Sequence, residues 1–270
     1  MPPPYDSILR SRPITFVVGP TKTEFVVHAD AITRLSKPLR ALVDGDMKEA
    51  KESHVVWDDV DDQTFARFIQ WAYTDEYATA EPEILLDASN IQTGESSTAS
   101  TKAPREPEKS LYSLQDKSAI TLQPLLGSKG VEMAKAFTAG TSWAMIGATF
   151  EPRLNSEGCE DYSKVSSCHA NLYIMADKYD IAPLGKLSMH KLGTTLKTFK
   201  LYPSRMSDIL SLAELVFENT RDGDEMRLMI AHYCACIVED LAKCEKFQPT
   251  LQAYPEFSSA LMAKMTERLD

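Results

Sequence analysis

Reactive residue types are scarce and widely scattered in this chain. The 270 residues include 5 cysteines and 5 histidines. Cys159, Cys168, Cys234, Cys236 and Cys244 form no C-x-x-C pair. Their odd number and loose spacing predict a reducing compartment rather than a disulfide framework. Basic charge is also short, with 29 Lys+Arg against 39 Asp+Glu and a formal charge of −10. A nucleic-acid surface needs a basic face to displace counterions, and anionic lipid makes the same demand. Neither a nucleic-acid nor a membrane partner is therefore expected. No apolar run approaches the roughly 20 residues of a membrane-spanning helix. The Met1–Asp6 stretch has neither the basic cap nor the apolar run of a signal peptide. The expected location is cytoplasmic or nuclear. Neither G-x-S-x-G nor H-E-x-x-H occurs, and Gly19–Thr23 lacks the glycine that precedes the lysine of a phosphate loop. The sequence thus assigns no catalytic residue, no cofactor or cofactor-binding residue and no metal ligand, and the expectation is a protein that is not an enzyme.

What is present is an ordinary globular composition, 43% apolar and 25% charged. Ile14–Val18 and Glu24–His28 are β-branched and aromatic, and the Gly-Pro turn between them predicts a hairpin. Short helices are predicted over Ala29–Leu35 and Pro38–Val43, the second ended by Asp44-Gly45-Asp46. His54–Trp57 reads as a third strand. The acids of Asp58–Asp62 then stand where a helix start can use them to cap free N–H groups. In that helix Phe65, Phe68, Ile69, Ala72 and Tyr73 keep the spacing of one buried face. His28 ends an apolar strand and reads as a hydrogen-bonding structural residue.

From Ala88 to Ser118 large apolar side chains are few, which predicts disorder. Gly interrupts the apolar residues of 119–158, including Phe137, Trp143, Met145, Ile146 and Phe150. That stretch reads as mobile, with one helical piece near 131–139. Removing 88–158 is accordingly expected to leave a cooperative melt, because loop-closure entropy grows only logarithmically with length. Helical spacing resumes near Val165 and continues to the C-terminus, with Pro183, Pro203, Gly223 and Pro255 near the breaks. His232 and Cys236 share a helix face while Cys234 points away, so buried small cysteines are expected rather than a zinc site.

The order of these elements resembles the BTB/POZ domain, in the form found in filamentous-fungal proteins. The resemblance is carried by Ile14-Thr15-Phe16-Val17-Val18-Gly19, Phe25-Val26-Val27-His28, Leu35-Ser36-Lys37-Pro38-Leu39, Met47-Lys48-Glu49-Ala50, Val55–Asp61 and Thr64–Thr74. Leu172–Asp180, Leu184 and Leu187 look like the closing helices of the family. The fold implied is α+β, a small sheet flanked by helices, with a C-terminal helical extension. The domain would occupy 13–80 and 166–200, split by a largely disordered insertion over 81–165, and the extension would occupy 201–270. The resemblance implies a protein–protein interaction module. Met47-Lys48-Glu49 is similar to the apolar-x-acid motif with which cullin-adaptor members of the family insert into a cullin. It makes Met47 and Glu49 candidate partner-binding residues, and a cullin the candidate partner of a ubiquitin ligase adaptor. A self-associating scaffold or transcription-related BTB protein is the alternative. A metal-dependent regulator or enzyme built on the C-terminal helices is the alternative from another class. Many animal members of the family carry an Asp before the first strand, where this chain has Pro13, and a longer preceding helix, both of which serve dimerisation there, so homodimerisation stays open. Tyr5, Ile8 and Leu9 provide material for one helical turn, which predicts a weak contact at best.

Overall fold

The computed structural model describes residues 5–45, 52–85, 128–140 and 142–268. Within them the protein is α+β, with a three-stranded sheet, a two-stranded ribbon and a larger share of helix. Strands β1 (Pro13–Val18) and β2 (Thr23–His28) form the expected antiparallel hairpin, with Phe16 opposite Phe25. Gly19 turns the chain at φ +69, a left-handed conformation that glycine adopts without a Cβ penalty. Its N–H donates to the Trp57 carbonyl at 2.9 Å. Strand β3 (His54–Trp57) lies parallel to β1, so the sheet order is β2-β1-β3.

Helices α1 (Tyr5–Arg10), α2 (Ala29–Thr33) and α3 (Lys37–Asp44) surround the hairpin. Ser36 caps α3 by accepting from the Leu39 N–H, and Pro38 sits in the first turn, where its missing N–H costs nothing. Helix α4 (Asp62–Thr74) follows β3. Asp61 caps it, accepting from the Thr64 N–H at 2.8 Å and from the Thr64 hydroxyl. Its buried face holds Phe65, Phe68, Trp71 and Ala72, while Ile69 and Tyr73 are only half-buried. The expected stripe was thus shifted toward Trp71.

Beyond α4, ribbon strands β4 (Glu83–Ile84) and β5 (Glu160–Asp161) pair antiparallel and bring the two flanks of the expected insertion together. Between them lies α5 (Ser128–Ala139). The expectation that 81–165 is largely disordered is corrected here for its described parts. Met133, Ala134 and Phe137 of α5, Trp143 and Tyr162 are all buried in one core. Glycines broke the local period, but burial of these side chains is set by long-range contacts that no local period reports. Residues 86–127 lie outside the described residues.

Helices α6 (Ser163–Lys178) and α7 (Ala182–Thr198) form a helical hairpin that two cores share. Leu172, Met175, Ala176, Ile181, Leu184 and Leu187 complete the core of the sheet and α4. Trp57 of β3 stacks on Tyr179 at the end of α6, ring centroids 4.6 Å apart. On the opposite side Ala170, Met189, Leu192 and Leu196 join the second core. That core is built with α8 (Met206–Asn219), α9 (Glu225–Cys236), the single turn α10 (Val238–Leu241), α11 (Phe247–Ala253) and α12 (Pro255–Thr266). Packing therefore runs without a break across the expected boundary at 200–201. Arg227 locks the α8–α9 turn by donating to the carbonyls of Phe217 and Thr220, to the Thr220 hydroxyl and to Asp222.

Candidate interaction site

Met47 and Glu49 lie outside the described residues, but both ends of the connection that carries them are described. A single side chain spans those ends. The Arg12 guanidinium, just before β1, donates to the Val43 carbonyl at 2.6 Å and to Asp44 at 3.2 Å on one side. On the other it donates to the Ser53 hydroxyl at 2.6 Å. The Thr15 N–H, from β1, adds a bond to the Ser53 carbonyl at 3.0 Å. The planar, multi-donor guanidinium suits this task where a lysine would not. Nothing in the local sequence singled out Arg12, because its partners lie 31 to 41 residues away.

The acids around this connection are partly engaged within the protein. Asp44 meets Arg12, Asp58 meets Lys22, Asp59 meets Lys178, and Asp61 caps α4. Capping thus uses one of the four acids of Asp58–Asp62, while the pair of Asp59 with Lys178 ties the β3–α4 turn to α6. The Lys22 amine serves this surface as an ion-pair partner of Asp58, at the end of the hairpin turn. These pairs offset the negative charge of Asp44, Asp58 and Asp59 within the protein.

His28 fills the structural role expected of it. Its backbone N–H donates to the Tyr73 hydroxyl at 3.0 Å, and its Nδ1 lies 2.8 Å from the same oxygen. The Tyr5 hydroxyl of α1 donates to the Tyr73 carbonyl at 2.7 Å, and Ile8 is buried, so α1 docks on its own chain. Leu9 and Tyr5 keep exposed apolar surface on that helix.

A buried polar cluster, unforeseen from the sequence, joins the end of α4 to the helical hairpin. The Lys191 side chain, 3% exposed, pairs with Glu76 and donates to the Tyr77 carbonyl at 2.7 Å. Its amine also lies 4.1 Å from the Tyr77 ring centre and 4.9 Å from that of Phe150, where the ring faces attract a cation. The Tyr77 hydroxyl is 2.7 Å from Nδ1 of His169. Burial, then the charges of Lys191 and Arg67, push the His169 imidazole down to about 3. Burial raises the Tyr77 phenol well above its ordinary value. Both groups are therefore neutral at physiological pH.

The C-terminal cysteines sit in apolar surroundings. Burial pushes the Cys234 thiol far up and the Cys236 thiol to about 12, so both hold their protons. A thiol in that state is neither a ready nucleophile nor a ready metal ligand. His232 Nε2 lies 3.0 Å from the Met133 carbonyl. Among the described residues, no three His, Cys, Asp or Glu side chains converge as a metal site, and no helix is long and apolar enough to cross a membrane.

With this geometry in place, comparison with known proteins adds no relative: no family model matches the chain, and no curated protein matches it.

Proposed function

We propose that the protein is a non-enzymatic BTB/POZ-like interaction module whose connection between α3 and β3 engages a protein partner. The observation that carries this reading is the Arg12 clamp. It fixes Val43, Asp44 and Ser53, and so holds both ends of the segment bearing Met47 and Glu49. A binding segment held at its ends loses less conformational freedom when it docks. The order of hairpin, two short helices, parallel strand and aromatic-rich helix, closed by a helical hairpin, supports the same reading. Met47 is suited to fill an apolar groove, and Glu49 to orient the contact at its rim. A cullin is the candidate partner, which makes the protein a substrate adaptor of a ubiquitin ligase.

The test is direct titration with the N-terminal region of the cullin from the same organism. The expected result is measurable affinity, weakened by about 1–3 kcal/mol in Met47→Ala with the melt unchanged. Arg12→Ala should weaken it as well, through the clamp. Absence of binding by the unmutated chain at tens of micromolar, on the order of −6 kcal/mol, overturns the adaptor reading. The self-associating scaffold then stands, and it predicts a dimer in light scattering.

A further inference from the structure

A groove of about 540 Å³ opens on another part of the molecule, between the 142–146 loop, α6, the start of α7 and the first residue of α9. Trp143, Met145, Ile146, Tyr173 and Met189 supply its apolar lining. The loop forming one wall is firmly seated. The Trp143 indole lies where a Cβ on Gly193 of α7 would come within 2.3 Å of the ring, so only glycine makes that seat. The Met145 N–H donates to Nδ1 of His190 at 3.1 Å. Trp143 also packs on Phe137, ring centroids 5.8 Å apart. With its neighbours fixed in this way, Ile146 stands fully exposed and Met145 is 40% exposed. Opposite them, Ala176, Ala182 and Gly185 leave the hollow open.

The charged residues of the groove are unbalanced. Asp177, Asp180 and Glu225 line it against the single base Lys186. Asp177 meets Arg221 at 3.3 Å. Asp180 and Glu225 have no ion-pair partner among the described residues. An apolar hollow edged by free carboxylates complements an apolar side chain with a neighbouring cation. A cavity of this size admits a few side chains and not a domain face. A second copy is a poor occupant, because a symmetric contact would set carboxylates against carboxylates.

We infer that this groove is a second docking site, which takes a segment of a partner protein bearing an apolar side chain within a few residues of Lys or Arg. It is built from elements other than the α3–β3 connection and does not depend on the adaptor reading. The experiment is selection of a random displayed peptide library against the full-length protein, followed by titration of the enriched peptides. The expected peptides pair Leu, Ile, Met or Phe with a nearby base. They should bind about tenfold more weakly to Ile146→Ser and to Asp180→Lys/Glu225→Lys, and more weakly in high salt. Because these side chains are exposed, the variants should stay folded: Ile146→Ser should melt like the parent, and the double charge reversal slightly below it, since Asp180 sits at φ +54 and Glu225 in the first turn of α9. No enrichment, enriched peptides without bases, or equal binding to the variants would overturn the proposal. So would a dimer that Ile146→Ser dissociates, since that places a second copy in the groove.

Discussion

His169 shows how one buried side chain can give the whole fold a pH dependence. Its folded value is depressed to about 3 from an ordinary 6.5, chiefly by burial and then by the positive charges of Lys191 and Arg67. Tyr77 and Cys168, which also lie near, keep their protons and add no charge below neutrality. Above pH 6.5 the imidazole is neutral in both folded and unfolded states, and the full stability is present. As pH falls from 6.5 toward 3 the unfolded chain takes up a proton that the folded one refuses, and stability is lost. The slope approaches about 1.4 kcal/mol per pH unit from this one group. Asp208 acts in the opposite sense, because burial raises its carboxyl to about 6 and folding then favours the protonated form below that pH. The clean measurement is therefore a difference. Denaturant melts of the parent and of His169→Gln, taken between pH 7 and pH 4, should differ increasingly as pH falls, with the parent losing more. Parallel pH curves would show that His169 does not titrate as described.

At the scale of elements, the segment between β4 and α6 is the decisive case. Phe137 and Trp143 pack on one another and on the helices of the second core, and Asn155 exchanges hydrogen bonds with the backbone of Lys200 at 2.6 and 2.8 Å. Deleting 88–158 removes all of these. The expected outcome is now an unfolded or aggregated product, in place of the cooperative melt that composition alone suggested. Trp143→Ala gives the same information in a single position. It should cost about 3–5 kcal/mol in chemical denaturation, the usual loss for a buried large aromatic. A cost under about 1 kcal/mol, as for a surface site, would place the loop outside the core.

For the whole molecule, the helical hairpin α6–α7 makes the two cores interdependent. Leu172 and Leu184 belong to the first core, while Leu192 and Leu196, on the same pair of helices, belong to the second. Neither core is complete without the hairpin, so the described parts should unfold together. Trp57 and Trp71 report on the first core and Trp143 on the second. Fluorescence melts of a variant keeping only Trp143, and of one keeping only Trp57 and Trp71, should each coincide with the melt of its own helix signal by circular dichroism. A well-separated Trp143 transition would mean that the C-terminal helices fold as an independent unit.

Local order was legible in the residues. The Gly19 turn, the caps at Ser36 and Asp61, the proline at the start of α7 and the apolar face of α4 each rest on chemistry within a few positions. Such signals survive without knowledge of the rest of the chain. The mixture of strands and helices followed from them, as did the run of helices after Val165, while the α+β arrangement was what the family resemblance implied. Other features depended on partners far away in sequence. The Arg12 clamp spans up to 41 residues, and the Lys191 ion pair with Glu76 spans 115. The seat of Trp143 on Gly193 is equally remote from local pattern. Composition judged the 142–146 loop by Gly140 and Gly147 on either side of it, whereas its conformation is set by an indole filling a notch on α7. Local propensity and period determine which segments become helix or strand. Which side chains meet, which charges are neutralised and where a groove opens is decided only when distant segments compete for the same space.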